Sequence, residues 1–520
     1  MNQPPLERKA ILLSLILIVL ILVMSGSMAL YVLSDRSIAQ TQMVERAALA
    51  IEEHYFDDVN FDDLLQSARA SMFDMLDRYS TYYPKKSFEE MDENLTGSYT
   101  GIGVLIMPDD LGLRISSVRE GGPASKAGLL DGDIIVAVDS ISLEGLSIND
   151  AINHLRGEIG AEVNLTISRP IRNDRFEVSL IREKLNFIHI PYAGILSDST
   201  LYVRLVDFDA GASEDLEAAL DSLLPNNPKG MILDLRGNPG GLFHEAYQTA
   251  NIFLNKGQFI VGTDGRSRWR DQKYLANGKD KTNGLPLLLL VDNHSASSSE
   301  IVAGALQQAG RAQLVGDTTF GKGLVQGFVR YPEGDGLKLT ISRYYLDGGV
   351  YLNKFDSTLE DIGHGLVPDF YQVLPVDTFF QQSLFTSQYL REFAYENDDK
   401  IVEAFREGKL DNSYIRGLLD YIGSKEGMVK SYRTDLAEEL EKIAQIETIT
   451  SETKKAINQL VQLSYGKDRE LFYQYSDYIL YNMARIAFER KEGLTAAYKE
   501  VIIERQPQIQ KARMVLAENR

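Results

Sequence analysis

The sequence contains no cysteine among its 520 residues. This absence excludes disulfide bonds, a thiolate nucleophile, and zinc or iron–sulfur sites that depend on cysteine ligands. Positive charge is also scarce, because 54 Lys and Arg residues face 74 Asp and Glu residues and the formal net charge is −20. A general nucleic-acid-binding protein needs a basic surface, so this balance argues against nucleic acid as a partner. The length predicts about three to four globular domains.

Charge is missing altogether from residues 10–34. This mostly apolar run is long enough to cross a hydrocarbon core of about 30 Å as a helix. Arg8 and Lys9 precede it, and positive flanking residues stay on the cytoplasmic side. We expect residues 1–36 to be a cytoplasmic stub and a single-pass signal anchor in the bacterial inner membrane, with the rest of the chain in the periplasm or outside the cell. The alternative is a cleaved signal peptide, which is disfavoured because the apolar run continues past Ala29.

Four further regions differ in their sequence pattern. Residues 37–95 have apolar residues at helical spacing, which predicts an N-terminal helical domain. Residues 96–170 are rich in glycine and in short alternating runs, which predict a compact module of strands and two helices. Residues 171–375 alternate continuous apolar strands with helices, which predicts a largely parallel, covered sheet. Residues 376–520 contain one proline, Pro507, and their helical periodicity predicts an all-helical C-terminal extension.

A run of serines stands at a predicted boundary between strand and helix. Ser295-Ala-Ser-Ser-Ser-Glu300 follows the apolar run Leu287–Val291 and precedes a predicted helix. A nucleophile placed there is held by a buried strand and lies near a helix N-terminus, where partial positive charge favours a developing anion. Serine is also a common helix cap, so the run alone is weak evidence for catalysis.

A lysine between two glycines, Lys322, follows downstream. If this lysine is buried, its pKa falls and its neutral amine can accept a proton, as a serine nucleophile requires. Gln326 is placed to orient the amine by hydrogen bonding. A phosphate-binding loop is not indicated, because Gly323 and not Ser or Thr follows the lysine.

Histidine offers a minor alternative base for the serine. His294 and His244 lie nearest the serine run in sequence, but His294 is awkwardly close to Ser297 for a facing base. The histidines show no spacing typical of a zinc site. We therefore expect neither a metal nor a cofactor.

Two ordered glycine-rich blocks within residues 96–170 resemble a PDZ domain. They are Tyr99-Thr-Gly-Ile-Gly-Val104 and the stretch from Gly122-Pro-Ala124 to Gly132-Asp-Ile-Ile135. In a PDZ domain, backbone N–H groups of a turn bind the terminal carboxylate of a peptide, which adds as a strand to an open sheet edge. The residues that the resemblance implies in peptide binding are Gly101, Ile102, Gly103 and Val104.

Ordered motifs over residues 43–370 resemble the carboxyl-terminal processing peptidases, also called tail-specific proteases. The motifs are Leu76-Asp-Arg-Tyr-Ser-Thr-Tyr-Tyr83, Tyr99-Thr-Gly-Ile-Gly-Val104, Leu233-Asp-Leu-Arg-Gly-Asn-Pro-Gly-Gly241, Ser295-Ala-Ser-Ser-Ser-Glu300, Thr319-Phe-Gly-Lys-Gly323 and Gly365-Leu-Val-Pro-Asp369. The resemblance implies a multidomain α/β fold: a crotonase/ClpP-like α/β protease core over residues 171–375 with an inserted PDZ domain. It makes Ser297 the nucleophile, Lys322 the general base and Gln326 the residue that orients the base.

The same resemblance implies an oxyanion hole made of two backbone N–H groups. These belong to Gly241, with Gly240 as the near alternative, and to Ser298. Ser298 replaces the usual alanine of the family, a change that a backbone donor tolerates. The stretch Tyr344-Tyr-Leu-Asp-Gly-Gly349 also departs from the family pattern, which puts the local loop shape in question.

These observations predict a membrane-anchored, exported serine endopeptidase that recognises proteins through their C-terminal tails by its PDZ domain. The alternative is a catalytically inactive PDZ scaffold that binds protein C-termini at the membrane. The expected partners are substrates with exposed C-termini and the inner membrane, and a second copy of the chain and an adaptor protein are further candidates.

Overall fold

A computed structural model of the chain describes most residues after the N-terminal run. The described residues are 36–95, 98–109, 111–119, 121–130, 132–169, 174–186, 188–266, 271–352, 364–373, 380, 383–384, 389–425, 439–440, 442, 451–492 and 494–518. The predicted signal anchor, residues 1–36, lies outside them except for its last residue. Within these ranges no helix is long and apolar enough to cross a membrane.

The helices are distributed over the whole described chain. They are α1 (Arg36–His54), α2 (Phe61–Ser71), α3 (Lys85–Leu95), α4 (Pro123–Lys126), α5 (Ile148–Leu155), α6 (Ala212–Leu223), α7 (Phe243–Phe253), α8 (Ser298–Gln308), α9 (Tyr389–Glu396), α10 (Asp398–Arg406), α11 (Asn412–Ser424), α12 (Ser451–Gln474), α13 (Ser476–Glu492), α14 (Leu494–Ala497), α15 (Ile503–Arg505) and α16 (Pro507–Glu518). Short 3₁₀ turns span Met72–Met75, Leu224–Asn226 and Asp347–Gly349, and a π-helical turn spans Tyr498–Ile502.

The strands lie between residues 81 and 371. They are β1 (Thr81–Tyr83), β2 (Ser98–Gly101), β3 (Val104–Asp109), β4 (Gly112–Val118), β5 (Ile134–Val138), β6 (Ile141–Ser142), β7 (Glu162–Arg169), β8 (Asp174–Ile181), β9 (Glu183–Asn186), β10 (Tyr192–Ile195), β11 (Thr200–Arg204), β12 (Gly230–Asp234), β13 (Phe259–Gly265), β14 (Gln272–Leu275), β15 (Leu287–Val291), β16 (Ala312–Gly316), β17 (Leu324–Arg330), β18 (Gly336–Leu346), β19 (Val350–Tyr351) and β20 (Phe370–Tyr371).

The chain divides into two units, of which the smaller joins distant parts of the sequence. It contains residues 1–90 and 326–341, and the larger contains residues 91–325 and 342–520. In the smaller unit β1 pairs antiparallel with the start of β18. Asp335 accepts hydrogen bonds there from Arg69 Nη1 at 2.9 Å and Lys85 N at 3.1 Å. The helical pattern of residues 37–95 gave no sign that residues 326–341 join this segment.

The PDZ module of the larger unit is an antiparallel sheet with strand order β3-β4-β5-β7-β8. Its apolar core includes Ile115, Ile135 and Leu165, which are almost fully buried. β8 pairs with β7 along its whole length, so the sheet continues beyond the boundary expected at residue 170. β3 lies at one edge of the sheet, and this edge is where strand addition takes place in a PDZ domain.

The α/β core is built on a second sheet with strand order β10-β11-β12-β15-β16-β20. The pair β10–β11 is antiparallel and every other neighbouring pair is parallel. All five residues of β12 and all five of β15 are buried. Continuous burial of this kind requires a layer on both faces of the sheet, as the continuous apolar runs of the sequence predicted.

One face of this sheet is covered by α6, α7 and α8, and the other face by the C-terminal end of the chain. Ile509, Ala512 and Leu516 of α16 are buried in a cluster with strand residues such as Ile232 and Leu288. Fully burying an isoleucine or leucine side chain stabilises a fold by about 1.5–3 kcal/mol. The last helix is therefore a layer of the α/β core, although the sequence pattern assigned it to a separate extension.

Helices α9 to α14 form a cluster of their own, as their periodicity predicted. Ile479 and Met483 of α13 are fully buried, and Ile401 and Leu418 pack into the same core from α10 and α11. The helical C-terminal part, the PDZ module and the mixed α/β core agree with the predicted fold class.

Candidate active site

Three loops meet at one edge of the core sheet. They follow β12, β15 and β16, which are neighbouring parallel strands, so their carboxyl ends share one edge. Ligands and reacting groups of open α/β sheets are found at this edge. We call the loops the glycine loop (residues 236–241), the nucleophile loop (residues 292–297) and the lysine loop (residues 317–323).

Three of the four serines tie the chain around the nucleophile loop to the glycine loop and the residue before it. The hydrogen bonds run from Ser295 Oγ to Leu235 O (2.8 Å), from Ser298 Oγ to Gly241 O (3.1 Å) and from Ser299 Oγ to Asn238 O (2.9 Å). Ser297 is partly exposed and is the N-cap of α8, and its hydroxyl donates no hydrogen bond to the glycine loop among the described residues. The geometry thus separates three structural serines from the one predicted as the nucleophile.

Asp292 joins the same two loops through its carboxylate. Its Oδ1 accepts from Gly237 N at 2.8 Å and from the amides of His294 and Ser295 at 3.0 Å each. Ala296 N donates in addition to the carbonyl of Asn238 at 3.0 Å. These bonds hold the nucleophile loop against the glycine loop through fixed backbone groups.

The backbone of Ser297 adopts an uncommon conformation, with φ 55° and ψ −111°. A non-glycine residue at positive φ is strained, and such strain persists only where surrounding contacts enforce it. The Ser297 carbonyl accepts from Glu300 N at 2.9 Å and Ile301 N at 3.0 Å at the start of α8. Its amide donates to the Glu300 carboxylate at 2.9 Å.

Glu300 lies fully buried between the nucleophile loop and the lysine loop. Its Oε2 accepts from Ser297 N and from Lys322 N, at 2.9 Å each. Its Oε1 accepts from Gly321 N at 2.7 Å and Thr319 Oγ1 at 2.6 Å. Burial raises the pKa of this carboxyl, and the four donated hydrogen bonds oppose that shift. One oxygen atom therefore joins the backbones of the predicted nucleophile and the predicted base.

Tyr344 contacts the backbone carbonyl groups of the same two residues, Ser297 and Lys322. Its buried hydroxyl donates to Lys322 O and lies 3.2 Å from Ser297 O. Lys322 itself is partly buried, between the buried Gly321 and Gly323. Tyr344 precedes the residues that depart from the family pattern, so the site contact is made by a residue outside that departure.

The two predicted oxyanion donors have their N–H groups available. Within the described residues neither Gly241 N nor Ser298 N donates a hydrogen bond. The N–H of Gly240, the near alternative, donates to Asn238 Oδ1 at 2.9 Å. A Cβ at Gly240 would lie 2.9 Å from Ser297 Cβ, so this glycine permits the close approach of the two loops.

The remaining candidates for the catalytic set are placed less directly. Gln326 lies on β17 and belongs to the smaller unit, where its Nε2 donates to Thr340 Oγ1 at 2.9 Å. His244 and His294 are exposed, and no hydrogen bond joins either ring to Ser297 in the described part of the chain. No group of three or more potential metal ligands lies together in the same part.

The turn predicted to bind peptide C-termini keeps two backbone donors unused. Ile102 and Gly103 accept from Ala124 N and Arg119 N through their carbonyl groups, at 2.9 Å each. Their own N–H groups donate no hydrogen bond within the described residues. Gly103 has φ 78°, where glycine is favoured. Gly101 ends β2 and Val104 begins β3, so the four residues form one strand-to-strand turn.

A cluster of titratable groups surrounds Phe208, whose backbone bonds to the glycine loop. His189 Nδ1 lies 2.5 Å from Asp207 Oδ1, and this bond raises the pKa of His189. Burial, followed by the charge of Asp207, raises the pKa of Asp209 to about 6. Phe208, between the two aspartates, donates its N–H to Gly240 O at 3.0 Å. The titratable groups thus flank the residue whose backbone N–H supports the glycine loop.

Stability is expected to fall as the pH rises through this cluster's titration. The raised pKa of Asp209 favours folding while the carboxyl is protonated, and this contribution is lost as the pH rises from about 4 past 6. His189 acts in the same direction, because its raised pKa gives stability that disappears above that pKa. Asp209→Asn should flatten the pH dependence of unfolding and stabilise the protein at pH 7.5 by about 1–2 kcal/mol.

Urea unfolding between pH 4.5 and 7.5 measures this effect. Glu214→Gln, on the exposed side of α6, is the matched control and should keep the wild-type profile. A wild-type profile for Asp209→Asn would contradict the assignment.

Sequence reasoning missed the residues that position the site. Glu300 was part of a quoted motif, but a buried carboxylate that accepts four hydrogen bonds across two loops has no one-dimensional signature. Asp292 and Tyr344 were likewise visible only as neighbours of the motifs. The Ser-x-x-Glu spacing of Ser297 and Glu300 is the signature of a helix capping box, and it was an available signal for the bond between Glu300 and Ser297 N.

Comparison with known proteins agrees with this architecture. Residues 199–369 match the model of peptidase family S41, and residues 114–169 match a PDZ domain model. The carboxy-terminal-processing protease of Bartonella bacilliformis is 33% identical over 310 residues, which cover 59% of this chain and 69% of that protein. The carboxy-terminal processing protease CtpA of Bacillus subtilis is 31% identical over 312 residues, covering 60% of this chain and 66% of its own.

A longer match joins the chain to a probable CtpA-like serine protease of Staphylococcus aureus, which is 28% identical over 406 residues and is covered to 77%. The matches include the sheet that carries the three loops and the PDZ module. This chain therefore belongs to the carboxy-terminal processing proteases, the serine peptidases of family S41.

Proposed function

We propose that this chain is an exported, membrane-anchored endopeptidase in which Ser297 is the nucleophile and Lys322 the general base, and that it selects substrates by their C-termini. One observation carries the catalytic part of the proposal: a single Glu300 oxygen accepts hydrogen bonds from the backbone amides of both residues. Two chain segments are thereby held together at the carboxyl edge of the sheet. A scaffold protein has no physical need for this arrangement.

The reaction follows from these groups. Ser297 Oγ attacks the carbonyl carbon of the scissile peptide bond while Lys322 Nζ takes the hydroxyl proton. The amides of Gly241 and Ser298 stabilise the oxyanion of the tetrahedral intermediate. Lys322 returns the proton to the leaving nitrogen, the C–N bond breaks, and an acyl-enzyme remains. Water then attacks the ester, Lys322 accepts its proton, and Ser297 recovers its hydroxyl as the acid product leaves.

Gln326 completes the proposed set as the residue that orients the amine of Lys322. Its Nε2 donates to Thr340 Oγ1, which donates in turn to Asp77 Oδ1 at 3.0 Å.

Selection of C-termini is assigned to the turn of residues 101–104. The unused N–H groups of Ile102 and Gly103 suit a terminal carboxylate, and β3 lies at the sheet edge beside them. Hydrogen bonds to a charged group contribute about 1.5–3 kcal/mol each, so one lost bond changes binding by about tenfold or more. Anchoring by residues 10–34 places this selection outside the inner membrane, since Arg8 and Lys9 precede the run.

A pair of peptide substrates tests the proposal. The two peptides share one sequence and one internal fluorogenic bond, and they differ only in a free or an amidated C-terminus. We expect kcat/KM to be about tenfold lower for the amide, and Ser297→Ala serves as the blank for both. Binding of the free peptide without cleavage by the wild type would favour the inactive scaffold. Equal cleavage of both peptides would remove the role given to the turn.

A further inference from the structure

Two buried side chains outside the proposed catalytic set hold the backbones of the nucleophile and the base in fixed relative positions. Glu300 contacts the backbone N–H groups of Ser297 and Lys322, and Tyr344 contacts their backbone carbonyls. All four peptide groups belong to residues whose side chains must exchange a proton. The separation of the two loops at the site is therefore set by one carboxylate and one hydroxyl.

We propose that Glu300 and Tyr344 form a clamp of positioning residues that fixes the distance between nucleophile and base, an inference that rests on the proposed function. Glu300 is the main element of the clamp, because it binds both loops through four hydrogen bonds and is fully buried. Water has no access to replace these bonds if the carboxylate is lost.

The strained backbone of Ser297 explains why the clamp matters for catalysis. At φ 55° this residue relaxes unless its amide and carbonyl are both held. Without the clamp, the Ser297 carbonyl still accepts hydrogen bonds from Glu300 N and Ile301 N at the start of α8. The Ser297 amide, in contrast, donates to the Glu300 carboxylate and loses this acceptor. Removal of the carboxylate frees the amide, and the serine hydroxyl moves relative to the lysine. A misplacement of about 1 Å costs about 10²-fold in rate.

Glu300→Gln keeps the shape of the side chain and changes its hydrogen bonding. In either orientation the amide NH₂ faces two donors that the carboxylate had accepted. If the NH₂ group takes the place of Oε2, it faces the N–H groups of Ser297 and Lys322. If it takes the place of Oε1, it faces Gly321 N and Thr319 Oγ1. We expect kcat to fall about 10²-fold with KM within threefold of the wild type, because no substrate-binding group is altered.

Tyr344→Phe is the second clamp variant, and we expect it to lower kcat less than Glu300→Gln does. It removes the hydroxyl contact with Lys322 O and Ser297 O but keeps the buried ring and the bond from Tyr344 N to Gly323 O at 2.9 Å. We expect kcat to fall about tenfold with KM unchanged, since a misplaced catalytic group lowers the rate and not the binding.

Glu245→Gln is the matched control for loss of a buried carboxylate. Glu245 is also buried and accepts three hydrogen bonds, from Gly211 N, Ser213 N and Ser213 Oγ at 3.1, 2.8 and 2.6 Å. It contacts none of the proposed catalytic residues. This variant should lower the melting temperature and leave kcat per folded molecule within threefold of the wild type.

The experiment measures kcat, KM and melting temperature for the full chain and all variants with the free-carboxylate peptide. Combination with Ser297→Ala separates the two proposals: Glu300→Gln should cause no further loss of the residual rate in that background. If Ser297→Ala alone keeps wild-type activity, the proposed function fails. If Ser297→Ala is inactive but Glu300→Gln keeps kcat within threefold, only the clamp is refuted.

Two further results would also refute the clamp. One is an equal fall in kcat for Glu245→Gln and Glu300→Gln, because the effect would then be general to buried carboxylates. The other applies if Glu300→Gln does not fold: a wild-type kcat for Tyr344→Phe then overturns the proposal.

Discussion

Replacement of Ser297 or Lys322 by alanine is expected to lower kcat/KM by about 10⁴-fold. In serine peptidases the nucleophile and its base act as a unit, so removal of either leaves only substrate binding and oxyanion stabilisation. For the same reason the double variant should be no less active than the worse of the two single variants. Peptide hydrolysis with a matched melting curve for each variant measures the effect.

Two controls make this result specific to the chemistry. Ser298→Ala removes a hydroxyl that donates to Gly241 O at 3.1 Å but keeps the backbone N–H, so activity should stay within about tenfold of the wild type. Lys322→Arg places a permanently protonated guanidinium where the neutral amine must act, and this group cannot accept a proton at neutral pH, so the variant should be as inactive as the alanine variant. Activity in Lys322→Arg, or inactivity in Ser298→Ala alone, would contradict the assigned roles.

The largest loss of stability is expected from Asp234→Asn, beneath the glycine loop. Asp234 is fully buried, and its carboxylate accepts from Arg204 Nη1 at 2.9 Å, Arg236 Nε at 2.9 Å and the Tyr202 hydroxyl at 2.6 Å. Burial alone would raise its pKa, but the two guanidinium groups hold the pKa well below its usual range. Removal of one partner from such a group leaves buried positive charge uncompensated, which costs about 3–5 kcal/mol.

The free energy of unfolding in urea at pH 7 measures this loss. In the wild type the contribution of Asp234 is present above the usual carboxyl pKa and is lost only as the pH falls through its depressed value, so neutral pH shows the full effect. Asp198→Asn is the control, because Asp198 is about one-third exposed and pairs with Arg513 Nε at 2.9 Å. That variant should lose about 1 kcal/mol or less. Equal losses for the two variants would refute the argument from burial.

Arg236, which donates to Asp234, also connects the C-terminal end of the chain to the site. Arg236, which begins the glycine loop, donates Nη1 to Gln508 Oε1 of α16 at 2.6 Å, and both residues are buried. The loop that carries the proposed oxyanion donor is thus bonded to the last helix of the chain. The Arg513–Asp198 pair joins the same helix to the turn before β11.

Much of the fold could be predicted because its signals are local. Continuous apolar runs such as Leu287–Val291 require burial on both faces, and this predicted a covered parallel sheet. Glycines with positive φ, among them Gly103 and Gly240, stand in the turns where the sequence motifs placed them. Helical periodicity predicted the C-terminal helices, of which Ile479 and Met483 are buried core residues.

The boundaries and partners of these elements were less predictable. β8 extends the PDZ sheet beyond residue 170. The sequence did not predict this boundary, because the alternating pattern of β8 fits an edge strand of that sheet as well as a strand of the next domain. The return of residues 326–341 to the N-terminal segment depends on pairing between Thr81 and Lys338, which are far apart in sequence. A pattern with a period of two residues reports burial but not the identity of the neighbour.

The sequence by itself determined the chemistry available to this protein. Without cysteine a thiolate nucleophile was excluded, and the sequence motifs predicted Ser297 as the nucleophile and Lys322 as its base. Only the tertiary structure decided which groups bring them together. Glu300 and Tyr344 act across loops that follow different strands, and α16 closes the sheet from the other end of the chain. Such contacts arise from the packing of distant segments, so no local pattern of residues specifies them.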